Sequence, residues 1–306
     1  MRTTVLLAIL FSAMSGQPQG LAYREPAAAE RRAVLHVDTN LVLVPVTVTD
    51  SRGAIVRDLD RNDFTLTEEK VRQDINSFSH ETAPVSLGIL VDLSGSMKYK
   101  IDKVRVAVEA LLHNVEPEDE EFLVTFAEQP ELRWPFTSDT TAIRAALSFA
   151  QPDGRTALFD AVALAVKEMH GAHNRRRVLF LISDGGDNHS RVTKRELRNL
   201  LEEEDVQIHA IGIHDHAMSR EEADGPWLLE DLAKITGGRH HMVENIAVLP
   251  DLATQMSLAL HDRYLIGYKP TPPGPSGEFR RIDVKLIHLR KTDRLYVYAR
   301  RGYVMP

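Results

Sequence analysis

Hydrophobic and polar positions change their period twice along this chain. Over residues 35–49 they alternate, with Val42, Val44, Val46 and Val48 on one face, which is the two-residue repeat of a half-buried strand. Asp50-Ser51-Arg52-Gly53 reads as a turn, and residues 64–67 and 75–78 read as further short strands. No helical stretch separates these strands, so they suggest a small antiparallel module. At Val85 the run Val85-Ser86-Leu87-Gly88-Ile89-Leu90-Val91 is nearly continuous and apolar, as expected of a parallel strand covered on both faces.

Helical spacing follows over 101–115, through Val104, Val108, Leu111 and Leu112. Residues 121–126 and 132–136 read as a strand hairpin, and 140–149 and 157–169 as helices. Residues 178–182 form a second buried strand, 194–204 a polar-faced helix, 206–213 a third core strand, and 227–235 and 250–260 the closing helices. From Tyr264 the chain returns to strands at 264–268, 281–288 and 295–299, with a Pro/Gly-rich connection over 270–277. Strands alternating with helices predict an α/β fold, a mostly parallel sheet with helices on both faces. The strands before Pro84 and after Tyr264 are expected to pair into one sandwich-like module, split by the α/β domain inserted within it.

Composition narrows the function classes. The chain has 306 residues, 43% hydrophobic and 26% charged, enough for one large α/β domain and a smaller module. A net charge of -7 disfavours nucleic acid, which needs a clustered basic face. The densest basic run, Arg175-Arg176-Arg177, directly precedes an apolar strand and reads as a solvated strand entry. Residues 1–22 have the shape of a signal peptide: Arg2, a short apolar run from Val5 to Ala13, then small residues up to Gly20-Leu21-Ala22. Export to the periplasm or beyond rests on that leader, and 23–33 reads as a linker. No later run has the ~18–20 apolar residues of a spanning helix. With no cysteine, disulfides and thiolate metal sites are excluded.

The candidate chemistry sits where the core strands end. In an open parallel sheet, ligands bind outside the carboxyl ends of the strands, where strand order reverses. There the sequence places Asp92-Leu93-Ser94-Gly95-Ser96, Gly154-Arg155-Thr156 and Ser183-Asp184-Gly185-Gly186-Asp187. All supply oxygen, and hard oxygen donors favour Mg²⁺, Mn²⁺ or Ca²⁺ over zinc. Asp187 reads as a solvated loop residue. Three hydroxyls and two carboxylates, some acting through water, leave at least one position of an octahedral ion open to an external acid group.

Asp92-x-Ser94-x-Ser96, with Thr156 and Asp184 downstream, resembles the metal-ion-dependent adhesion site of von Willebrand factor A (vWA) domains, integrin I domains included. The resemblance covers roughly 84–262, between β segments at 34–83 and 263–306. It implies a Rossmann-like sheet of six strands and a Mg²⁺ held by Ser94, Ser96 and Thr156 hydroxyls, with Asp92 and Asp184 often acting through water. It also implies a non-enzymatic protein that binds a protein or surface polymer through an acidic residue, and a closing helix over 250–260 that could shift on ligation. Tyr264-Leu265-Ile266-Gly267-Tyr268 and Arg300-Arg301-Gly302-Tyr303 are similar to exported vWA-related proteins of acidobacteria.

Two other readings compete. Ser94 or Ser96 with His189 or His214 could form a nucleophilic triad, although the G-x-S-x-G elbow is absent, and a metal-dependent hydrolase would need a base or clamp such as Arg155. A scaffold with a vestigial metal site is the third. His209, His214, His216, His240 and His241 read as solvated or hydrogen-bonded rather than as zinc ligands, and Trp227 with its neighbouring leucines as a helix packing face.

Overall fold

The computed structural model describes residues 41–213, 225–287 and 294–305. The leader and linker expected at 1–33, the start of the strand expected from Leu35, and His214 and His216 lie outside the described residues. The described residues begin with four strands: β1 (Val42–Thr49), β2 (Phe64–Glu68), β3 (Val71–Gln73) and β4 (Ile75–Thr82). Then come β5 (Val85–Asp92), α1 (Ile101–Leu112), the hairpin β6 (Glu120–Phe126) and β7 (Pro130–Thr137), α2 (Thr140–Ser148) and α3 (Leu158–Glu168). They are followed by β8 (Arg176–Ser183), α4 (Lys194–Glu203), β9 (Gln207–Ile213), α5 (Gly225–Thr236), β10 (His240–Val243) and α6 (Leu249–Leu258). Four strands close the chain: β11 (Asp262–Tyr268), β12 (Phe279–Leu286), β13 (Tyr296–Ala299) and β14 (Gly302–Val304).

The central sheet has six strands in the order β10-β9-β8-β5-β6-β7, all parallel except β7. Every residue of β5 is buried because helices cover both of its faces. Val85, Leu87, Ile89 and Val91 pack with α1, α2 and α6, whereas Leu90 points into the layer of α3, α4 and α5. That two-sided burial is why β5 reads as a continuous apolar run instead of an alternating one. Gly88 lets β5 lie close to its neighbours, since a Cβ there would come within 2.4 Å of Phe122 and 2.5 Å of Leu179. From β5 the chain moves one way across the sheet, to β6 and β7, then returns to β8, β9 and β10 on the other side. Strand order therefore reverses between β5 and β8, and a crevice opens at their carboxyl ends.

The remaining strands form two four-stranded sheets, β13-β1-β11-β4 and β14-β12-β2-β3. Strands from before and after the inserted segment mix in each: β1 pairs antiparallel with β11 and β13 in the first, where the two sets alternate, and β12 pairs with β2 at the middle of the second. Their shared core holds Val44, Val46, Val48, Phe64, Leu66, Tyr264, Ile266 and Tyr268. The buried Glu68 carboxylate in this core accepts from Arg280 Nε at 2.8 Å and from the Tyr303 hydroxyl at 3.1 Å, and Tyr268 donates to it as well.

Two readings of the sequence are corrected here. Arg176 is not a solvated strand entry: it is the first residue of β8 and only 3% exposed, because β11 packs over it and the Asp262 carbonyl accepts from its Nη2 at 3.2 Å. Trp227 does not pack inward: Leu229 and Leu232 carry the buried face of α5, and at 72% exposed Trp227 stands in solvent near its first turn.

Candidate functional site

Three loops meet at the crevice between β5 and β8. Asp92, the last residue of β5, is fully buried; its Oδ1 accepts from the Ser94 backbone N–H at 2.8 Å and its Oδ2 from the Ser183 hydroxyl at 2.6 Å. These bonds fold the first loop back over its own strand end and tie it to the end of β8. The Ser94 and Ser96 hydroxyls lie 3.1 Å apart, Ser94 buried and Ser96 half-buried. The Gly95 N–H donates to the Gly154 carbonyl at 3.0 Å, and the Asp153 N–H to the Leu93 carbonyl at 2.8 Å, which clamps the first loop to the second. Thr156 is held from the other side: its N–H donates to the Asn188 side chain at 2.9 Å, and its carbonyl accepts from the Asn188 and His189 N–H groups at 3.0 Å. The second loop is thereby fastened to the third, which begins at Asp184.

Asp92, Ser94, Ser96 and Asp184 are thus brought to one crevice. Thr156 is placed beside them by its backbone, with its hydroxyl making no hydrogen bond to the other four. Asp187 is not the solvated residue expected: its carboxylate caps the start of α3 by accepting from the Phe159 N–H at 3.2 Å, and it also accepts from the Ser190 hydroxyl at 2.5 Å. Burial raises its pKa.

Residues 87–186 match the family model of the von Willebrand factor type A domain, which spans all three loops. The chain contains a von Willebrand factor type A domain. Among solved structures it is similar to a von Willebrand factor type A protein from Catenulispora acidiphila, at 14% identity and a TM-score of 0.52, over 82% of this chain and 75% of that one. It is also similar to the conserved hypothetical protein BatB from Bacteroides thetaiotaomicron (18% identity, TM-score 0.46, 57% and 98% coverage). The SpRpn10 VWA domain is a third (17% identity, TM-score 0.44, 56% and 95% coverage). No curated protein matches the sequence.

The electrostatics of the vWA crevice centre on two carboxylates. Burial, and then the neighbouring charge of Asp184, push the Asp92 pKa well up, against the bonds from Ser183 and Ser94 that favour its ionised form. Two buried acids this close call for a cation. A side chain already supplies one: the Lys100 ammonium, itself almost buried, lies 3.1 Å from Asp184 Oδ2. The donor set suits a hard divalent ion: three hydroxyls, two carboxylates and no sulfur or imidazole. Such an ion would share the Asp184 carboxylate with Lys100 or displace it.

Sequence reasoning missed Lys100, and its signal was weak. It stands in Lys98-Tyr99-Lys100, which looks like a solvated turn, and only the fold turns the last lysine inward. The segments next to the crevice also carry large side chains in solvent: Tyr99 at 93% exposed, just after the first loop, and Trp227 at 72%, two residues beyond the Gly225 that touches the third loop. Of the histidines among the described residues, His209 is buried and accepts from the Arg239 N–H at 3.2 Å, and burial holds its pKa well below the ordinary imidazole value. Among the described residues no group of three or more His, Cys, Asp or Glu side chains is arranged to hold a metal.

Proposed function

We propose that the vWA domain binds another protein or a surface polymer through a divalent cation, Mg²⁺ or its relatives Mn²⁺ and Ca²⁺. The cation is held by Ser94, Ser96 and Thr156, with Asp92 and Asp184 acting directly or through water. The observation that carries this reading is the buried Asp92/Asp184 pair at the switch point of the sheet, with hydroxyls from two clamped loops beside it. Carboxylates placed behind hydroxyl ligands leave the ion electrophilic on its open side, where a partner's Asp or Glu completes its shell. Exposed Tyr99 and Trp227 offer that partner apolar contact next to the ion. Among the described residues, catalysis by a triad of Ser94 or Ser96 with His189 finds no support in the hydrogen bonding, because the two serine hydroxyls face each other and His189 is attached to Thr156 through its backbone. An exported location rests on the leader sequence; no helix among the described residues is long and apolar enough to cross a membrane.

Calorimetric titration of the intact chain with Mg²⁺ and Mn²⁺ tests the reading. Saturable binding should be lost in Asp92→Ala, and Lys100→Met, which removes the resident ammonium, should bind the ion several-fold more tightly. A chain that binds neither ion, or an Asp92→Ala variant that binds as well as the parent, would rule the metal out. Capture of envelope components in Mg²⁺ but not in chelator extends the test to the partner.

A further inference from the structure

At the end of the sheet opposite the oxygen site, four guanidinium groups converge from both parts of the fold. Arg176 and Arg177 open β8, Arg263 stands on β11 and Arg300 follows β13; with Arg175 they line a cavity of about 20 Å³. The carboxylates in the same lining are Glu204 and Asp205, and neither neutralises the centre. Glu204 is engaged by His170 at 2.8 Å, and the Asp205 side chain is 75% exposed and 3.7 Å from Arg300. Arg300 is otherwise satisfied by the Gly302 and Glu202 carbonyls, at 2.6 and 3.3 Å. The other three are not. Arg176 spends only Nη2, on the Asp262 carbonyl, and Arg263 spends Nη2 on Glu81 at 3.4 Å. Arg176 Nε and Nη1, Arg177 Nε and Arg263 Nε are all buried with no acceptor among the described residues.

Buried N–H groups on charged side chains are rarely left without an acceptor, and a guanidinium stays protonated where an ammonium would give up its proton. Burial, and then repulsion from Arg263, lower the Arg176 pKa to about 9, which still leaves the group charged at neutral pH. The carboxylates of Asp262, Glu81 and Asp119 act on Arg176 from neighbouring elements without accepting from its Nε or Nη1, so the missing component is an acceptor held among the guanidiniums, and the size of the cavity bounds its form. A space of about 20 Å³ holds a single small occupant, one water or one monatomic ion. A tetrahedral oxyanion or a carboxylate would have to push the walls apart.

We propose that this cavity binds a single monatomic anion of the halide class, chloride in its native setting, through the free N–H groups of Arg176, Arg177 and Arg263. Because Arg176 and Arg177 belong to the vWA sheet and Arg263 to the sandwich, the anion joins the two at the base of β8. It makes the stability of the full chain depend on halide.

The test is thermal unfolding of the full chain in sodium chloride and sodium bromide against sodium gluconate at equal ionic strength, gluconate being too large to enter. Chloride and bromide should raise Tm by roughly 2–4 °C in a saturable way. Arg176→Met should unfold at the same temperature in all three salts. Should that variant fail to fold, Arg263→Gln provides the same comparison at a less deeply buried neighbour, and crystals of the parent grown in bromide should show one anomalous peak inside the cavity. Equal Tm in halide and gluconate, a water in the cavity of bromide-grown crystals, or sulfate stabilising the parent beyond what it does for the variants would overturn the proposal.

Discussion

Glu121 is the least comfortable residue of the vWA domain. It sits on β6 opposite Leu87 of β5 and Thr137 of β7, fully buried, and neither carboxylate oxygen has a hydrogen-bond partner among the described residues. The nearby Arg144 gives little relief, being bonded to Glu109 at 2.6 Å and to Thr140 at 2.8 Å. Burial foremost, then the charges of Asp119 and Glu120, push the Glu121 pKa up to about 7. The folded chain therefore holds this proton more tightly than the unfolded one. Its contribution to stability is fully present below the ordinary glutamate value of ~4.3 and is lost as pH rises through about 7. Glu121→Gln, which is neutral at every pH, should be more stable than the parent by about 1–3 kcal/mol at pH 8 and equal to it near pH 4.5. Urea unfolding at the two pH values checks this, and an identical pH dependence in parent and variant would contradict it. No reading of pattern could have found Glu121, because it continues a polar stretch, Glu116 to Glu121, that looks like a solvated strand entry. The same cue misplaced Arg176. In both, a charged residue at the start of a strand is covered by an element distant in sequence. The crevice carboxylates were legible for the converse reason: Asp92 and Asp184 interrupt the most apolar runs in the chain, where only a turn or a site explains a carboxylate.

At the scale of elements, the third loop reaches the crevice only because glycine lets it turn. Gly185 has φ of +91°, a region that side chains with a Cβ rarely adopt, and a Cβ there would lie 2.5 Å from the Gly225 carbonyl at the start of α5. Gly185→Ala must therefore move either the loop that carries Asp184 or the helix that carries Trp227. We expect a loss of about 1–3 kcal/mol of stability and at least tenfold weaker Mg²⁺ binding, read by urea unfolding and calorimetry. Gly186→Ala is the control, since a Cβ there meets nothing within 4 Å. It should leave both quantities unchanged, and equal effects from the two substitutions would show that the positive φ at Gly185 is not what shapes the loop. The long elements were visible in the sequence because each carries its period through at least two turns or four alternations. The three-residue strands β3 and β14 were not, since Val71–Gln73 and Gly302–Val304 are too short for any period to register and exist only because β2 and β12 offer them an edge.

Among the described residues the chain leaves the sandwich between β4 and β5 and re-enters it at β11, and one carboxylate closes that gap. Asp119 Oδ1 accepts from the Val85 N–H at 2.7 Å, at the exit, while its Oδ2 meets His261 Nε2 at 2.8 Å, at the return. The pair is mutually tuned. Burial works against both charges, but hydrogen bonding between them holds the Asp119 pKa down and the His261 pKa up. Its contribution is thus lost at low pH as Asp119 protonates and at high pH as His261 deprotonates. Because both ends of the inserted α/β segment meet on one of its own residues, it needs nothing from the sandwich to bring its termini together. The sandwich has no such independence: β1 and β4 reach each other only through β11, which follows the insertion. Residues 84–261 expressed alone should therefore fold, with the helix content of the intact domain by circular dichroism and the Mg²⁺ affinity of the full chain. Deletion of 263–306 should leave 41–83 open to protease while the vWA domain survives. If the isolated segment is unfolded instead, the arginines at the base of β8 require the cover of β11, and the two modules form one cooperative unit.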